Sequence, residues 1–359
     1  MAYGQVNADV IGTSVAGSNL GAGNASLMKS RIINGAMVID QRNAGASVTP
    51  VNSGYALDRW QFLLGQASKL TCQQNAGSVT PPVGFVNYLG ITSSSAYTVG
   101  AAETFALAQP IEGFNVSDLG WGTASAKTVT LSFQVYSSLT GTFGGSLTNS
   151  AYTRSYPFSY SIPVANTWTS ISVTIAGDTT GTWLGTTNTG IRLAFGLGCG
   201  SSVSGTAGAW AGTAYTSATG ATSVVGTSGA TFYITGVQLE VGSAATTFDF
   251  RSIGQETSLC YRYYQKLSTI DYTTGFTFST NRVLGGFPYT NPMRTTATVS
   301  VGSTSYVFYT AGAAQTSSAV TATTTSTAGW VALDVTVTAV NGVAGAGSVV
   351  GPITLSAEL

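Results

Sequence analysis

The stretch TFYITGVQLEVGSAATTFDFRSIGQETSLCYRYYQK, residues 231–266, decides the fold class of this chain. Apolar residues such as Phe232 and Ile234 recur at every second position, and beyond Gly236 the alternation resumes in the opposite phase. A two-residue period is typical of a half-buried strand, and a glycine that reverses its phase is typical of a bulge. We therefore predict one long, bent strand that forms the closing edge of a β-sandwich.

The segment after this strand predicts a helix. Ser252, followed three residues later by Gln255, is a capping-box pattern. The apolar residues that follow share one helical face, and they are Leu259, Cys260, Tyr263 and Tyr264. We predict that residues 251–267 form a short helix that links a domain over 29–250 to a second one over 268–359.

Several other segments of the first domain show the same two-faced alternation. Apolar residues occupy every second position in residues 129–135, 171–175 and 191–197. Many such strands without helical patterns between them predict an antiparallel sandwich or jelly roll. The predicted fold is all-β: a jelly-roll β-sandwich, a linking helix and a smaller C-terminal β-sandwich domain.

Local patterns add further predictions within the first domain. An Asn34-Gly35 turn is expected among the apolar residues near its start. Residues 55–64 predict a single buried strand, with Trp60 in the core. Residues 139–154 and 198–229 are rich in small and polar residues, so we predict two long loops there.

The C-terminal domain shows a clean alternation of apolar and other residues over 331–338. Residues 311–329, AGAAQTSSAVTATTTSTAG, are of low complexity. We interpret them as a loop, or as strands completed by a neighbouring subunit. Residues 1–28 are small and polar, and they are either a disordered leader or a segment that orders on docking to a partner.

Composition limits the function classes. Charged residues make up only 7% of the 359 residues, 13 basic and 13 acidic, so neither nucleic acid nor an acidic membrane is indicated as a partner. Near-zero net charge favours association, and we expect an oligomer. No apolar run is long enough to span a membrane, and the N-terminus lacks a signal-peptide pattern, so we expect a soluble chain made in the cytoplasm.

The reactive side chains that many enzymes use are scarce. Histidine is absent, which excludes catalysis of the Ser-His type. The three cysteines, Cys72, Cys199 and Cys260, have no metal-site spacing and predict small buried thiols rather than disulfides. We expect no catalytic residue, no cofactor and no metal.

Two aromatic residues in the second long loop are the candidate ligand-binding residues. Trp210 and Tyr215 lie in GAWAGTAYTSATG, where an aromatic ring could stack on a sugar while neighbouring hydroxyls bind its polar groups. The alternative is that Trp210 folds back as a lid on the sandwich.

Several ordered motifs resemble a family of tailed-bacteriophage appendage proteins, the tail fibres and related virion fibres. The resemblance covers about residues 28–266, and its motifs are NGAMVIDQR (34–42), YALDRW (55–60), IEGFNVSDLGWGTASAKTVTLSFQVYSSLTGTFGG (111–145), FYITGVQLEVGSAATTFDFR (232–251) and ETSLCYRYYQK (256–266). The resemblance implies a module similar to a jelly-roll carbohydrate-binding module, and it specifies no catalytic residue.

In many modules of that kind, two adjacent aspartates on the last strand help to hold a structural calcium ion. The matching positions here are Thr235 and Gly236. Because hard cations require carboxylate oxygens, two neutral residues do not favour a calcium site of that kind.

Three functions follow from the resemblance. The first is a non-enzymatic virion tail fibre, expected to be a homotrimer because trimeric packing would cover exposed strand edges. In it, residues 1–28 attach to the virion and the β modules contact host glycans. The second is a purely architectural head fibre, collar or decoration protein. The third is a glycan-degrading tailspike, for which Asp40 with Asp58, or Glu103 with Glu112, are candidate carboxylate pairs.

Overall fold

The computed structural model describes residues 28–279, 282–288, 291–302, 305–310, 313–324, 330–337 and 346–359. The predicted attachment segment, residues 1–28, lies outside the described residues except for Met28. The described chain divides into two compact units. The first contains residues 28–38, 45–56 and 60–250, and the second contains residues 39–44, 57–59 and the described part of 251–359.

Strands account for most of the regular structure. In chain order they are β1 (Tyr55–Leu57), β2 (Trp60–Leu64), β3 (Leu70–Gln74), β4 (Leu89–Ser93), β5 (Thr104–Glu112), β6 (Val129–Ser137), β7 (Gly141–Asn149), β8 (Ser155–Ile162), β9 (Thr169–Ile175), β10 (Thr189–Cys199), β11 (Ser204–Gly205), β12 (Ser217–Ala218), β13 (Thr231–Val241), β14 (Tyr264–Ser279), β15 (Arg282–Pro288), β16 (Thr298–Val301), β17 (Ser305–Thr310), β18 (Ala313–Thr324), β19 (Trp330–Val337) and β20 (Ala346–Ser356). Helix α1 spans Ile253–Tyr261.

The first unit is a sandwich of two sheets. One has the strand order β1-β2-β5-β10-β7-β8 and the other β3-β4-β13-β6-β9. Their inner faces meet through aromatic rings: Phe133 of β6 lies 5.0 Å from Phe195 of β10, between ring centroids, and Phe143 of β7 lies 6.1 Å from Phe232 of β13. The predicted all-β fold with a jelly-roll sandwich is therefore confirmed.

Strand β13 lies at the centre of its sheet. It pairs with β4 on one side and with β6 on the other, so the prediction that it forms the closing edge was wrong. The predicted bulge is present, because the register with β6 shifts between Thr235 and Gln238, and Gly236 adopts a left-handed φ of 63°. A side chain on Gly236 would also overlap the ring of Phe85, so the position requires glycine.

Residues 139–154 contain strand β7 rather than the predicted loop. Its glycines are required by close packing, since a Cβ on Gly144 would lie 2.5 Å from the Ser217 hydroxyl, and one on Gly145 would lie 2.3 Å from the Ala194 carbonyl oxygen. Because neighbouring segments pack so closely on this strand, glycine occupies positions where apolar side chains would otherwise alternate. The segment was therefore predicted to be a loop.

Residues 55–64 form two strands instead of one. Asp58 and Arg59 interrupt the strand between β1 and β2, and Arg59 adopts a left-handed φ of 71°. Few non-glycine residues adopt that conformation, and no composition signal marks it here. Trp60 is fully buried, as predicted.

Helix α1 begins where the capping box places it. The Ser252 side chain accepts a hydrogen bond from the Gln255 backbone N–H. The helix ends at Tyr261, however, and Tyr264 already begins β14, so the predicted extent to residue 267 was too long. Of the predicted apolar face, Cys260 is buried within the helix, and the buried Tyr263 lies just beyond it.

The second unit contains one seven-stranded sheet in the order β14-β15-β19-β18-β17-β20-β16. Because β14 also pairs with β20, the ladder closes on itself, so this unit is one closed sheet rather than the two packed sheets of the predicted smaller β-sandwich. The low-complexity residues contain strand β18, which pairs with β17 and β19 of the same chain. A neighbouring subunit is thus not needed to pair it.

The second unit also holds a buried ionic cluster. The Arg59 guanidinium, whose side chain is 1% exposed, pairs with the carboxylate of Glu358. Arg42 pairs with the same carboxylate at 2.7 Å. Each guanidinium covers an aromatic ring at 3.6 Å from its centroid, Arg59 on Tyr263 and Arg42 on Tyr264. One carboxylate therefore pairs with two guanidinium groups, which residues 39–44 and 57–59 contribute, and it balances one of their two positive charges.

Two buried threonines of the first unit predict opposite effects of the same substitution. Among the residues that the structure describes, the Thr148 hydroxyl on β7 has no hydrogen-bond partner, whereas the Thr130 hydroxyl on β6 donates to the Gly242 carbonyl at 2.8 Å. An unpaired buried hydroxyl destabilises a fold, and a paired one stabilises it. We expect Thr148→Val to raise the free energy of unfolding by about 1 kcal/mol and Thr130→Val to lower it by about 1 kcal/mol. Denaturant unfolding checks both, and equal signs would contradict the prediction.

Candidate functional site

The candidate site lies among the loops at one end of the sandwich. The register pairs Thr189, where β10 begins, with Glu112, where β5 ends, and pairs Ile191 with Asn149, where β7 ends. Loops that leave these strand ends therefore emerge side by side. Three loops each bring one tryptophan to this end. Trp121 lies between β5 and β6, Trp183 between β9 and β10, and Trp210 between β11 and β12.

The three indole rings form one mutually perpendicular cluster, which we call the tryptophan cluster. Ring centroids lie 4.8 Å apart for Trp121 and Trp183, 5.3 Å for Trp121 and Trp210, and 5.4 Å for Trp183 and Trp210. The planes cross at 78 to 80° in all three pairs. Edge-to-face geometry of this kind is the favourable arrangement for aromatic rings.

Each indole N–H is already bonded to a backbone carbonyl. Trp121 donates to Lys127 at 2.8 Å, Trp183 to Thr180 at 3.1 Å and Trp210 to Ala176 at 2.8 Å. These bonds fix the ring orientations. Trp121 is 7% exposed, whereas Trp183 and Trp210 are half-buried and keep part of their ring surface open to solvent. What the cluster offers a ligand is thus apolar ring surface in a fixed orientation.

The ion pair of Arg154 and Asp178 lies next to the tryptophan cluster. The Arg154 guanidinium donates to both carboxylate oxygens of Asp178, each at 2.7 Å, and lies 5.9 Å from the Trp210 ring centroid. Burial alone would raise the pKa of Asp178, but the Arg154 hydrogen bonds and charge, with the Thr180 N–H, outweigh it, and the pKa is lowered. The pair stays ionised and neutral in sum, so it adds no net charge to the site.

A pocket of about 120 Å³ opens beside the cluster. Trp121, Trp183, Val116, Leu184 and Ile191 line it together with Ser117 and Gly185. Its lining is therefore part apolar and part polar, and the loops around it are rich in Thr and Ser. A pocket that combines apolar side chains with a few polar groups is the usual form of a small-molecule site.

The two sequence-predicted site residues do not lie together. Trp210 belongs to the tryptophan cluster and also contacts Tyr156, with ring centroids 5.2 Å apart. Tyr215 packs on Gly205, where a Cβ would lie 2.2 Å from the tyrosine ring, and its backbone N–H donates to the Ser155 hydroxyl. Within the described residues no ring contact joins Tyr215 to the cluster, so of the two predicted residues only Trp210 belongs to the candidate site.

Sequence analysis missed Trp121 and Trp183. A signal for them does exist, because all three cluster tryptophans precede a Gly-Thr pair directly or after one residue: WGT at 121–123, WLGT at 183–186 and WAGT at 210–213. The other tryptophans of the chain lack this pattern. Of these glycines only Gly122 adopts a left-handed φ, of 86°, but the repetition itself would have linked three loops far apart in sequence.

The candidate carboxylates mostly have structural partners. Asp40 accepts a hydrogen bond from the Asn43 backbone N–H at 2.9 Å, a turn contact. Glu103 accepts from the Tyr97 hydroxyl at 2.8 Å and from the Gly100 N–H at 2.7 Å. Asp58 accepts from Gln41 through both its backbone and side-chain nitrogens. Each of these three carboxylates is thus held in place by hydrogen bonds from neighbouring residues.

The positions that match the calcium-binding aspartates carry no spare ligand oxygen of that kind. The Thr235 hydroxyl donates to the Asn87 carbonyl at 2.7 Å, and Gly236 forms the bulge. In the part of the chain that the structure describes, no three His, Cys, Asp or Glu side chains group closely enough to hold a metal ion. Within the same residues, no helix is both long and apolar enough to cross a membrane.

Comparisons with known proteins give only weak matches. No protein-family model matches the chain, and no curated protein matches it in sequence. Among solved structures, a putative sugar binding protein from Bacteroides thetaiotaomicron is 13% identical, with a TM-score of 0.34, over 59% of this chain and 100% of that one. A family 11 carbohydrate-binding module from Clostridium thermocellum is 10% identical, with a TM-score of 0.29, over 55% and 97%.

The enzymatically active domain of tailspike protein 4 from bacteriophage CBA120 is 11% identical, with a TM-score of 0.31. The match covers 52% of this chain but only 20% of the tailspike domain, so the chain spans about a fifth of that structure. Likenesses at these scores are too weak to argue function. The all-β sandwich assignment therefore rests on the strand order and packing described above.

Proposed function

We propose that this chain is a non-enzymatic structural protein of a tailed-phage virion, a tail fibre, that binds host-surface glycans at the tryptophan cluster. The observation that carries the glycan role is the cluster itself: three loops fix three indole rings whose N–H groups are already bonded. A sugar presents C–H groups on its ring faces, and these pack well against aromatic surface. The phage context is supported by the resemblance of residues 28–266 to virion fibres.

The proposal extends to the assembly and its location. Residues 1–28 attach the protein to the virion, and the chain acts as a homotrimer. Strand β9 supports association, because it is the last strand of its sheet and its sequence, TSISVTI, contains no charge or proline. An exposed, uncharged edge strand is one that natural proteins usually cover.

Glycan binding is tested with Trp183→Ala on an array of host surface polysaccharides. We expect the native protein to bind at least one of them and the variant to bind it about tenfold more weakly, a loss of about 1.4 kcal/mol of binding free energy. Trp168→Ala is the matched control, because Trp168 is also half-buried but contacts Tyr88 and Tyr136 on the outer face of the other sheet. That variant should bind as the native protein does.

Three other results would overturn parts of the proposal. Failure of the native protein to bind any host polysaccharide would favour the architectural head fibre, collar or decoration protein. Sustained release of reducing ends from the polysaccharide would show an enzyme. Equal losses in Trp183→Ala and Trp168→Ala would show that binding depends on overall stability, which thermal unfolding of both variants checks.

The assembly is tested by sedimentation equilibrium. We expect a mass about three times the chain mass of 36.5 kDa, because a neutral surface with uncovered strand edges favours closed, symmetric association. A single protomer at micromolar concentration would contradict the trimer.

A further inference from the structure

We propose that the pocket beside Trp121 and Trp183 binds an acetyl group, carried by oxygen or nitrogen, on the sugar that stacks at the tryptophan cluster. This inference rests on the proposed glycan role and names the class of glycan: an acetylated one. The argument uses the size of the pocket, its lining and its position relative to the exposed rings.

The size of the pocket selects a small substituent. At about 120 Å³ it is slightly smaller than an apolar protein cavity of roughly 150 Å³ that holds one benzene molecule. It is therefore too small for a whole hexose, which has twice as many heavy atoms as benzene. A single hydroxyl would leave most of it empty. A group of about three heavy atoms, such as acetyl, fits.

The lining selects a group with an apolar end. Val116, Ile191 and Trp121 are buried, and with Leu184 and Trp183 they contribute the apolar part of the lining. Burying a methyl group against these side chains is favourable.

Ser117 and Gly185 contribute the polar part of the lining. The Ser117 hydroxyl donates to the Phe114 carbonyl at 3.3 Å. This hydrogen bond is long, so a ligand carbonyl can replace Phe114 as the acceptor. The Gly185 backbone N–H donates to no oxygen within the described residues. An acetyl carbonyl can accept from these donors while its methyl group contacts the hydrocarbon side.

The walls of the pocket hold a fixed separation. A Cβ on Gly113 would lie 2.2 Å from the Leu184 carbonyl oxygen, and the Phe114 N–H donates to the Thr186 carbonyl at 3.1 Å. The two loops are thus in direct backbone contact beside the pocket. A preformed cavity of this kind discriminates between substituents by size, because the ligand does not have to order it.

The Trp183 ring offers the stacking surface for the sugar. Trp183 lines the pocket and is also half-buried. A pyranose that rests on this ring can direct one substituent into the pocket, so the acetyl group is recognised as a branch of a stacked sugar.

Gly185→Ala is the variant that isolates the pocket. Its backbone φ lies outside the left-handed region, and the added Cβ would lie 3.4 Å from the Ser117 Cβ, an ordinary contact. The methyl group therefore narrows the pocket between its two polar residues without straining the fold. The control is Gly254→Ala in helix α1, where a Cβ would meet nothing within 4 Å.

Two pairs of probes separate the sources of the acetyl group. Host polysaccharide is compared before and after mild alkaline treatment, which removes O-acetyl groups, and N-acetylglucosamine is compared with glucose. We expect the native protein to prefer the acetylated member of at least one pair about tenfold. Gly185→Ala should lose that preference yet retain the binding that depends on Trp183, and Gly254→Ala should retain both.

The outcomes distinguish the two proposals. If the native protein binds glycans through Trp183 without any preference for acetyl groups, the pocket inference is wrong and the glycan role stands. If Gly185→Ala keeps the native preference, the acetyl group binds elsewhere, and the inference is equally wrong. If no glycan binds at all, the glycan role fails, and the inference fails with it.

Discussion

Gly35→Ala is expected to lower the free energy of unfolding of the first unit by at least about 3 kcal/mol. A Cβ at this position would lie 2.1 Å from the Val237 carbonyl oxygen, a backbone atom of the central strand β13. The turn is fixed on both sides, since the Val237 N–H donates to the Gly35 carbonyl at 3.0 Å and the Trp60 indole donates to Asn34 at 3.0 Å. Neither side can move away without breaking a buried hydrogen bond.

Denaturant unfolding followed by tryptophan fluorescence measures this effect. Gly212→Ala is the control, because a Cβ there would meet nothing within 4 Å and its φ is not left-handed. That variant should remain within about 0.5 kcal/mol of the native protein. A midpoint for Gly35→Ala equal to that of the control would show that the turn and β13 are not in contact.

The second unit is expected to lose about 3 kcal/mol of stability through Asp58 as the pH rises from below 3.8 to above 6. Burial raises the pKa of Asp58 to about 6, although hydrogen bonds from Gln41 and the charge of Arg42 oppose the shift. Because the folded pKa is above the unfolded one, the protonated form favours folding. This contribution is complete at low pH and is lost as the carboxyl ionises.

Asp58→Asn removes that dependence. We expect its free energy of unfolding, relative to that of the native protein, to increase by about 3 kcal/mol between pH 3.5 and pH 7. Asp178→Asn is the opposed control: the pKa of Asp178 is lowered, so its stabilising contribution is present above pH 3.8 and lost in acid. Relative to native, that variant should become less stable as the pH rises. Parallel curves for the two variants would contradict the assignment.

The strands with regular alternation could be predicted from sequence because burial on one face imposes that alternation. Residues 129–135, 171–175 and 191–197 all lie within strands of the sandwich. The position of β13 could not be predicted, since a bulge suits an edge strand and a central one equally. Its neighbours are set by pairing with residues some hundred positions away along the chain.

Side-chain clusters that depend on several loops were predicted only in part. Trp210 was identified from its own loop, but Trp121 and Trp183 reach it through the meeting of strand ends, which no local pattern encodes. Strand β7 was missed for a related reason. Its glycines are required because neighbours such as Phe158 and Ser217 pack against them, and they do not follow the two-residue period of a strand. The pattern of a segment shows which of its own side chains are buried, but it does not show which distant segments pack against them.

The ionic cluster of Arg42, Arg59 and Glu358 has a consequence for synthesis on the ribosome. Arg59 and Glu358 are 299 positions apart, so at 5 to 20 residues per second the carboxylate follows its cations by about 15 to 60 s. During that interval the two guanidinium groups lack this carboxylate. Strand β20, whose pairing with β14 closes the ladder, is also among the last residues to be made.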